Sequence, residues 1–153
     1  MSKHTATVTW QRGDQPFTDK RYSRVHEWRF DGGATVRASS SPHVVRVPMS
    51  DPTAVDPEEA FVASLASCHM LWFLGIAAER GVVVDAYDDE AEGVIEPTGD
   101  GRHTMTKILL RPRVSLGAES AGRAGELDAI HHEAHRQCFL ASALRAELRV
   151  EPR

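Results

Sequence analysis

Apolar and polar positions alternate over Thr5-Ala6-Thr7-Val8-Thr9-Trp10, a β-rich run that predicts a first strand. Alternation returns from Tyr22 to Phe30, where Tyr22, Arg24, His26, Trp28 and Phe30 share one parity and predict a second strand. Asp31-Gly32-Gly33 is a hairpin signal, and Ala34 to Ala38 supplies the return strand. Ser39 to Val55, with Pro42, Pro48 and Pro52, reads as a long loop of the kind that covers sites. At Asp56 the pattern changes to a long apolar helix. Asp56 suits its N-cap, Pro57 its first position and Glu59 the capping-box position. Glu58 and Glu59 complement the positive end of its dipole, and Gly81 marks the stop. Val82 to Ile95 reads as one or two strands, Pro97 to Gly101 as a turn, and Met105 to Leu116 as a strand bent at Pro112. Ser120 to Ser142 is largely helical, with Leu127, Ile130, Ala134 and Cys138 at core spacing, and Leu144 to Val150 closes as a strand. The order implies an α+β fold with a mostly antiparallel sheet, in a single domain over residues 1–153.

Composition narrows the function. A net charge of −4 and a pI near 6.0 offer no basic field for nucleic acid. Ala60 to Ala78 has no acidic or basic residue apart from His69 and approaches the ~20 residues of a membrane span. Ser64, Ser67, His69, Gly75 and five alanines dilute it, and it lacks aromatic belts, so it reads as a core helix with no membrane partner. Met1 to Thr5 has no apolar signal-peptide stretch, which predicts a cytoplasmic protein.

The chain has two cysteines, Cys68 and Cys138, each on a predicted buried helix. In a reducing compartment such a pair points to redox chemistry rather than a structural bridge. An uncharged helix centre raises a thiol's pKa, so a reactive Cys68 needs a cation from another segment. The strand carrying Arg24 and His26 is the obvious source. Glu58 lies ten residues before Cys68, about 15 Å along a straight helix. The two share a site only if Glu58 arrives from a second, antiparallel copy, as a two-fold homodimer provides. His131, His135 and Cys138 also share a helical face, with Asp128 one turn earlier, and form an alternative metal-ligand set.

The run Asp56-Pro57-Glu58-Glu59, with Ala63 and then Cys68, is followed seventy residues later by Ala134-His135-Arg136-Gln137-Cys138 and a terminal strand. Together these resemble the OsmC/Ohr family of organic hydroperoxide-reducing proteins, over most of the chain from the first strand to Arg149. The resemblance implies mostly antiparallel sheets wrapped around two long central helices in an intertwined homodimer, with sites built from both chains. It implies a peroxidatic Cys68, a resolving Cys138, a catalytic Glu58 and an arginine from the early strands. Arg24 best matches that arginine; Arg21 and then Arg12 are the other candidates. It further implies a stress-response antioxidant that takes an organic hydroperoxide and a dithiol reductant, of lipoyl type, and requires no cofactor. The sequence departs from the family pattern at Phe139, where many members have Pro, and at His69, where many have Phe. Two rivals stand beside the peroxidase: a non-catalytic stress-associated dimer that binds an apolar ligand, and a metal-binding protein using His131, His135 and Cys138.

Overall fold

In the computed structural model, which describes residues 1–153, the alternating N-terminal runs form an antiparallel sheet. Its strands are β1 (Ala6–Thr9), β2 (His26–Phe30) and β3 (Thr35–Ala38), in the order β1-β2-β3. Val8 faces Trp28, and Trp28 faces Val36, so one apolar stripe crosses all three strands. The hairpin turns at Gly33, whose φ of 88° is one that glycine adopts freely.

The second strand begins at His26, not at Tyr22 as the alternation suggests. The amides ahead of it are engaged elsewhere: Ser23 N–H donates to the Gln15 side chain at 2.7 Å, and Arg24 N–H to the Met49 carbonyl at 2.7 Å. Backbone held by loop partners is not available to a sheet ladder.

The helix α1 (Pro57–Glu79) is punctuated as its sequence requires. Asp56 N–H donates to Glu59 Oε1 at 2.7 Å, and Glu59 N–H donates to Asp56 Oδ1 at 2.8 Å, a reciprocal capping box. At the other end Val82 N–H reaches the Ala77 carbonyl and Gly81 N–H the Ala78 carbonyl, with Gly81 at φ 69°. This is the Schellman closure. Arg123 adds a third cap by donating to the carbonyls of Gly81 and Arg80 at 2.8 and 3.0 Å. The helix is apolar on every side, as expected: Leu65 and Phe73 are fully buried, whereas Leu71 is 63% exposed. By length and composition it is the one helix able to cross a membrane; here it is the helix on which both apolar clusters are built.

The chain divides into two units, Met1–Ala60 and Phe61–Arg153, with the boundary in the first turn of α1. In the second unit, β4 (Val84–Asp89) pairs with β7 (Pro112–Leu116), and β5 (Glu92–Pro97) with β6 (His103–Leu110). The single bent strand expected over Met105–Leu116 is therefore two strands in different sheets. Arg111 separates them: its N–H leaves the ladder for Asp89 Oδ1 at 2.7 Å, and Pro112 has no N–H to give. The terminal strand β8 (Glu147–Val150) lies parallel to β6, while the other pairings are antiparallel. The stretch expected to be largely helical opens as a 3-10 helix (Ala118–Glu126), whose Gly122 and Gly125 are poor α-helix formers. It continues as α2 (Leu127–Gln137) and, after a break at Cys138, as α3 (Phe139–Ser142).

One cluster gathers Phe73, Ile76, Ala77, Val82, Ile130 and Ala134; the other gathers Leu65, Ile108, Leu110 and Cys138. Strand β5 crosses α1 closely at Gly93, where an added Cβ would lie 2.6 Å from Val62 Cγ2 and 3.0 Å from Met105 Cε. The glycine is what allows that approach. The observed architecture is α+β with mostly antiparallel sheets and long helices, as the element order implied.

Candidate active site

Cys68 sits near the middle of α1, half-buried, with its thiol free. Cys138 also carries a free thiol and is almost fully buried, 1% exposed. Its backbone breaks the helical run, with ψ at 114°, between the end of α2 and the start of α3. Its own N–H still donates to the Ala134 carbonyl at 3.0 Å, and its carbonyl accepts from Ser142 at 3.2 Å, so the kink is held on both sides. The kink turns the sulfur into the cluster of Leu65, Ile108 and Leu110, against which Cys68 packs. Burial pushes the Cys138 thiol's pKa up, and the neighbouring Cys68 thiol pushes it further. The amides of Ala141 and Leu140, in α3, act in the opposite direction. Trp72 and Phe139 meet edge to face at 5.4 Å on the same cluster, and Phe139 remains 73% exposed.

Glu58 and Arg24 lie together elsewhere. Both line a cleft of about 450 Å3 with Val8, Trp10, Phe17, Tyr22, His26, Ser40 and Pro57, all within the first unit. Its aromatic wall is continuous: Trp10 meets Tyr22 at 5.3 Å and Phe17 stacks on Tyr22 at 4.7 Å. The Arg24 guanidinium lies over the Tyr22 ring, 3.8 Å from its centroid. One of its nitrogens donates to the carbonyls of Lys20, at 2.8 Å, and of Tyr22. No ion pair joins Arg24 to Glu58. The Glu58 carboxyl is raised above its ordinary range, first by burial, and its Oε2 has no partner. Arg21 and Arg12 lie apart from this cleft. Arg21 lines a separate one with Arg46, Val47, Pro48 and Met49, and Arg12 donates to the Gln15 carbonyl at 3.0 Å.

The structure thus brings Cys68 to Cys138, and Arg24 to Glu58, as two pairs in different units. It does not bring the alternative metal ligands together. His131 and His135 line a groove with Asp128 and His132, whereas Cys138 turns inward to Cys68. No three His, Cys, Asp or Glu side chains converge as a metal-ligand set. Because α2 ends at Gln137, Cys138 leaves the helical face that its spacing from His131 and His135 assigns to it.

One residue from Cys68 lies a buried contact that the sequence pattern does not reveal. His69 Nε2 and His131 Nδ1 are 3.1 Å apart, with the residues 1% and 4% exposed and the rings parallel within 3°. Desolvation lowers both imidazoles from 6.5 to about 4. A histidine within an otherwise uncharged apolar helix was the available signal, but its partner sixty-two residues away was not readable.

Comparison with known proteins agrees with this architecture. No curated protein matches the sequence. Over their full lengths, the chain is similar to an OsmC-like protein of unknown function from Vibrio cholerae, with 47% identity, a TM-score of 0.95 and 100% of each chain covered. It also resembles the organic hydroperoxide resistance protein OsmC of Legionella pneumophila, at 14% identity and a TM-score of 0.70, covering 99% of this chain and 96% of that one. The organic hydroperoxide resistance protein OhrB of Bacillus subtilis gives 18% identity and a TM-score of 0.68, with 99% and 98% covered. At those two identities the likeness is one of fold. A family model described as OsmC-like protein matches residues 50–153, more than half of the sequence, and the chain therefore belongs to the OsmC-like protein family.

Proposed function

We propose that this chain is a thiol-dependent peroxidase that reduces organic hydroperoxides to alcohols. Its main support is the contact between Cys68 and Cys138 in an apolar cluster, with both thiols reduced. The names of the hydroperoxide resistance proteins sharing this fold point the same way.

The Cys68 thiolate attacks the distal oxygen of the hydroperoxide. The O–O bond breaks, the alkoxide leaves and takes a proton, and Cys68 becomes a sulfenic acid. The Cys138 sulfur then attacks the Cys68 sulfur; the S–O bond breaks, and the oxygen departs as water with the Cys138 proton. Because burial raises its pKa, Cys138 waits as a thiol until Cys68 has been oxidised. A dithiol, of lipoyl type, reopens the disulfide by two exchanges and leaves as its own disulfide.

Arg24 stabilises the thiolate and Glu58 orients Arg24, once Arg24 exchanges its carbonyl contacts for the carboxylate. Glu58 stands about 15 Å along α1 from Cys68 in its own helix. The Arg24–Glu58 pair therefore serves the thiols of a partner chain, in a homodimer with composite sites. The partner would also cover the exposed apolar side chains Phe61, Leu71 and Phe139. The setting is the reducing cytosol. A second reading rests on the aromatic cleft: its size and its Trp10, Phe17 and Tyr22 wall also suit an apolar ligand bound without turnover.

Turnover of cumene hydroperoxide fed by a dithiol separates the two. Cys68→Ser abolishes it. Cys138→Ser consumes about one equivalent of peroxide and then stalls or over-oxidises, because no second thiol intercepts the sulfenic acid. Unchanged steady-state turnover in Cys68→Ser defeats the assignment of Cys68, and absence of turnover in the wild type defeats the peroxidase and leaves the ligand-binding reading.

A further inference from the structure

His69 and His131 form the only side-chain hydrogen bond between α1 and α2. Their positions relate directly to the thiols. His69 follows Cys68 on α1, and His131 lies seven residues before Cys138, two turns earlier on α2. On one side the packing is aromatic, while His131 also lines the groove shared with Asp128, His132 and His135. The His131 ring lies 4.3 Å from the Phe73 ring and 6.3 Å from the Tyr87 ring, centroid to centroid. The Tyr87 hydroxyl is buried without a partner, and so are His69 Nδ1 and His131 Nε2. Two imidazoles are costly to bury, since each brings two ring nitrogens and only one from each ring is satisfied. Apolar residues at both positions would avoid that cost, so the contact has an effect beyond filling space.

We propose that the His69–His131 hydrogen bond is a positioning element that fixes the offset of α1 against the segment carrying Cys138, so that the two sulfurs meet. The proposal rests on the Cys68–Cys138 chemistry proposed above. Apolar packing sets roughly where two helices lie, but because burial is not directional it fixes their rotation and offset less sharply than a directional contact does. A hydrogen bond is directional in both distance and angle. Placed one residue from one thiol and two turns from the other, it limits the slide that would draw the sulfurs apart. Neither histidine touches peroxide or sulfur in this scheme; both act through the helices that carry the cysteines.

The test separates oxidation of Cys68 from closure of the disulfide. Closure is driven by diamide, a thiol oxidant that takes two electrons from the paired thiols, becomes the hydrazine and needs no peroxidase activity. Oxidation of Cys68 is measured as the first equivalent of cumene hydroperoxide consumed. In His69→Leu and in His131→Leu, diamide closure slows at least about tenfold, the scale expected from about 1.4 kcal/mol of lost positioning. The first-equivalent consumption stays near that of the wild type. In His69→Gln, whose amide presents either N–H or C=O to His131, closure returns to within about twofold of the wild type. A merely space-filling role predicts instead that Gln closes as slowly as Leu, and that result overturns the proposal. Closure in both leucine variants within about twofold of the wild type also overturns it. If the leucine variants do not fold, slow closure in a folded His69→Gln decides against it and fast closure decides for it. Failure of cumene hydroperoxide to oxidise wild-type Cys68 defeats the peroxidase reading alone, because diamide closure still measures positioning.

Discussion

Acid should destabilise this protein well before its carboxylates explain it, through the buried histidine pair. In the folded state His69 and His131 are held at about 4, against 6.5 when free. The groups facing them are Asp128 and His135 on α2, and Tyr87 with Asp89 behind it on β4; of these Asp128 favours the charged form of His131, and His135 opposes that of His69. The unfolded chain takes up protons first, so stability is full above about pH 6.5 and is lost as pH falls towards 4. The lowering from 6.5 to about 4 corresponds to roughly 3 kcal/mol for charging the pair once. The first proton preserves an N–H···N bond between the rings; the second sets N–H against N–H, and the pair titrates as a unit. Asp51 and Asp100, lowered to about 2, lose their contributions only below this window. Glu58 and Asp89, raised by burial, favour the folded state as pH falls and so run the other way. Urea unfolding followed by tryptophan fluorescence, between pH 7 and about 4, measures the loss. The control carries His69→Gln with His131→Gln, where amide faces amide and nothing titrates. The wild type should lose at least about 3 kcal/mol more than this control over the window. Parallel curves for the two proteins would refute the claim that the folded state holds the pair neutral.

Other outcomes follow from the same geometry. Mixing Glu58→Ala with Cys68→Ser should restore turnover to at most about half per heterodimer, since a two-fold dimer then has one intact site; no recovery after verified subunit exchange means Glu58 does not act across the interface. Arg24→Ala should slow iodoacetamide labelling of Cys68 severalfold, whereas Arg21→Ala and Arg12→Ala should not; the reverse result moves the site arginine. Gly93→Ala should cost about 1–3 kcal/mol in urea unfolding, because its Cβ meets the stiff branched side chain of Val62. Asp56→Ala should cost about 1 kcal/mol by opening the capping box, and an unchanged midpoint would show that Glu59 holds the turn alone.

Features under short-range control were legible in the sequence. The start of α1 follows from Asp56, Pro57 and Glu59, its stop from Gly81, and the hairpin from Asp31-Gly32-Gly33, since each depends on hydrogen bonds within a few residues. The spacing of the Glu58, Cys68 and Cys138 motifs was enough for the family resemblance. Strand limits were less legible, because alternation does not reveal that Arg24 N–H is taken by Met49 or that Arg111 N–H leaves for Asp89. Long-range packing turns Cys138 inward to Cys68 rather than onto the face of His131 and His135, through a backbone break at ψ 114° that no local residue announces. It also decided that Arg24 and Glu58 share an aromatic cleft, and that His69 finds His131. These contacts join residues far apart in the chain, and their positions are set by how buried side chains fill shared space. A linear pattern carries the propensity of each segment but not the offset at which two segments pack.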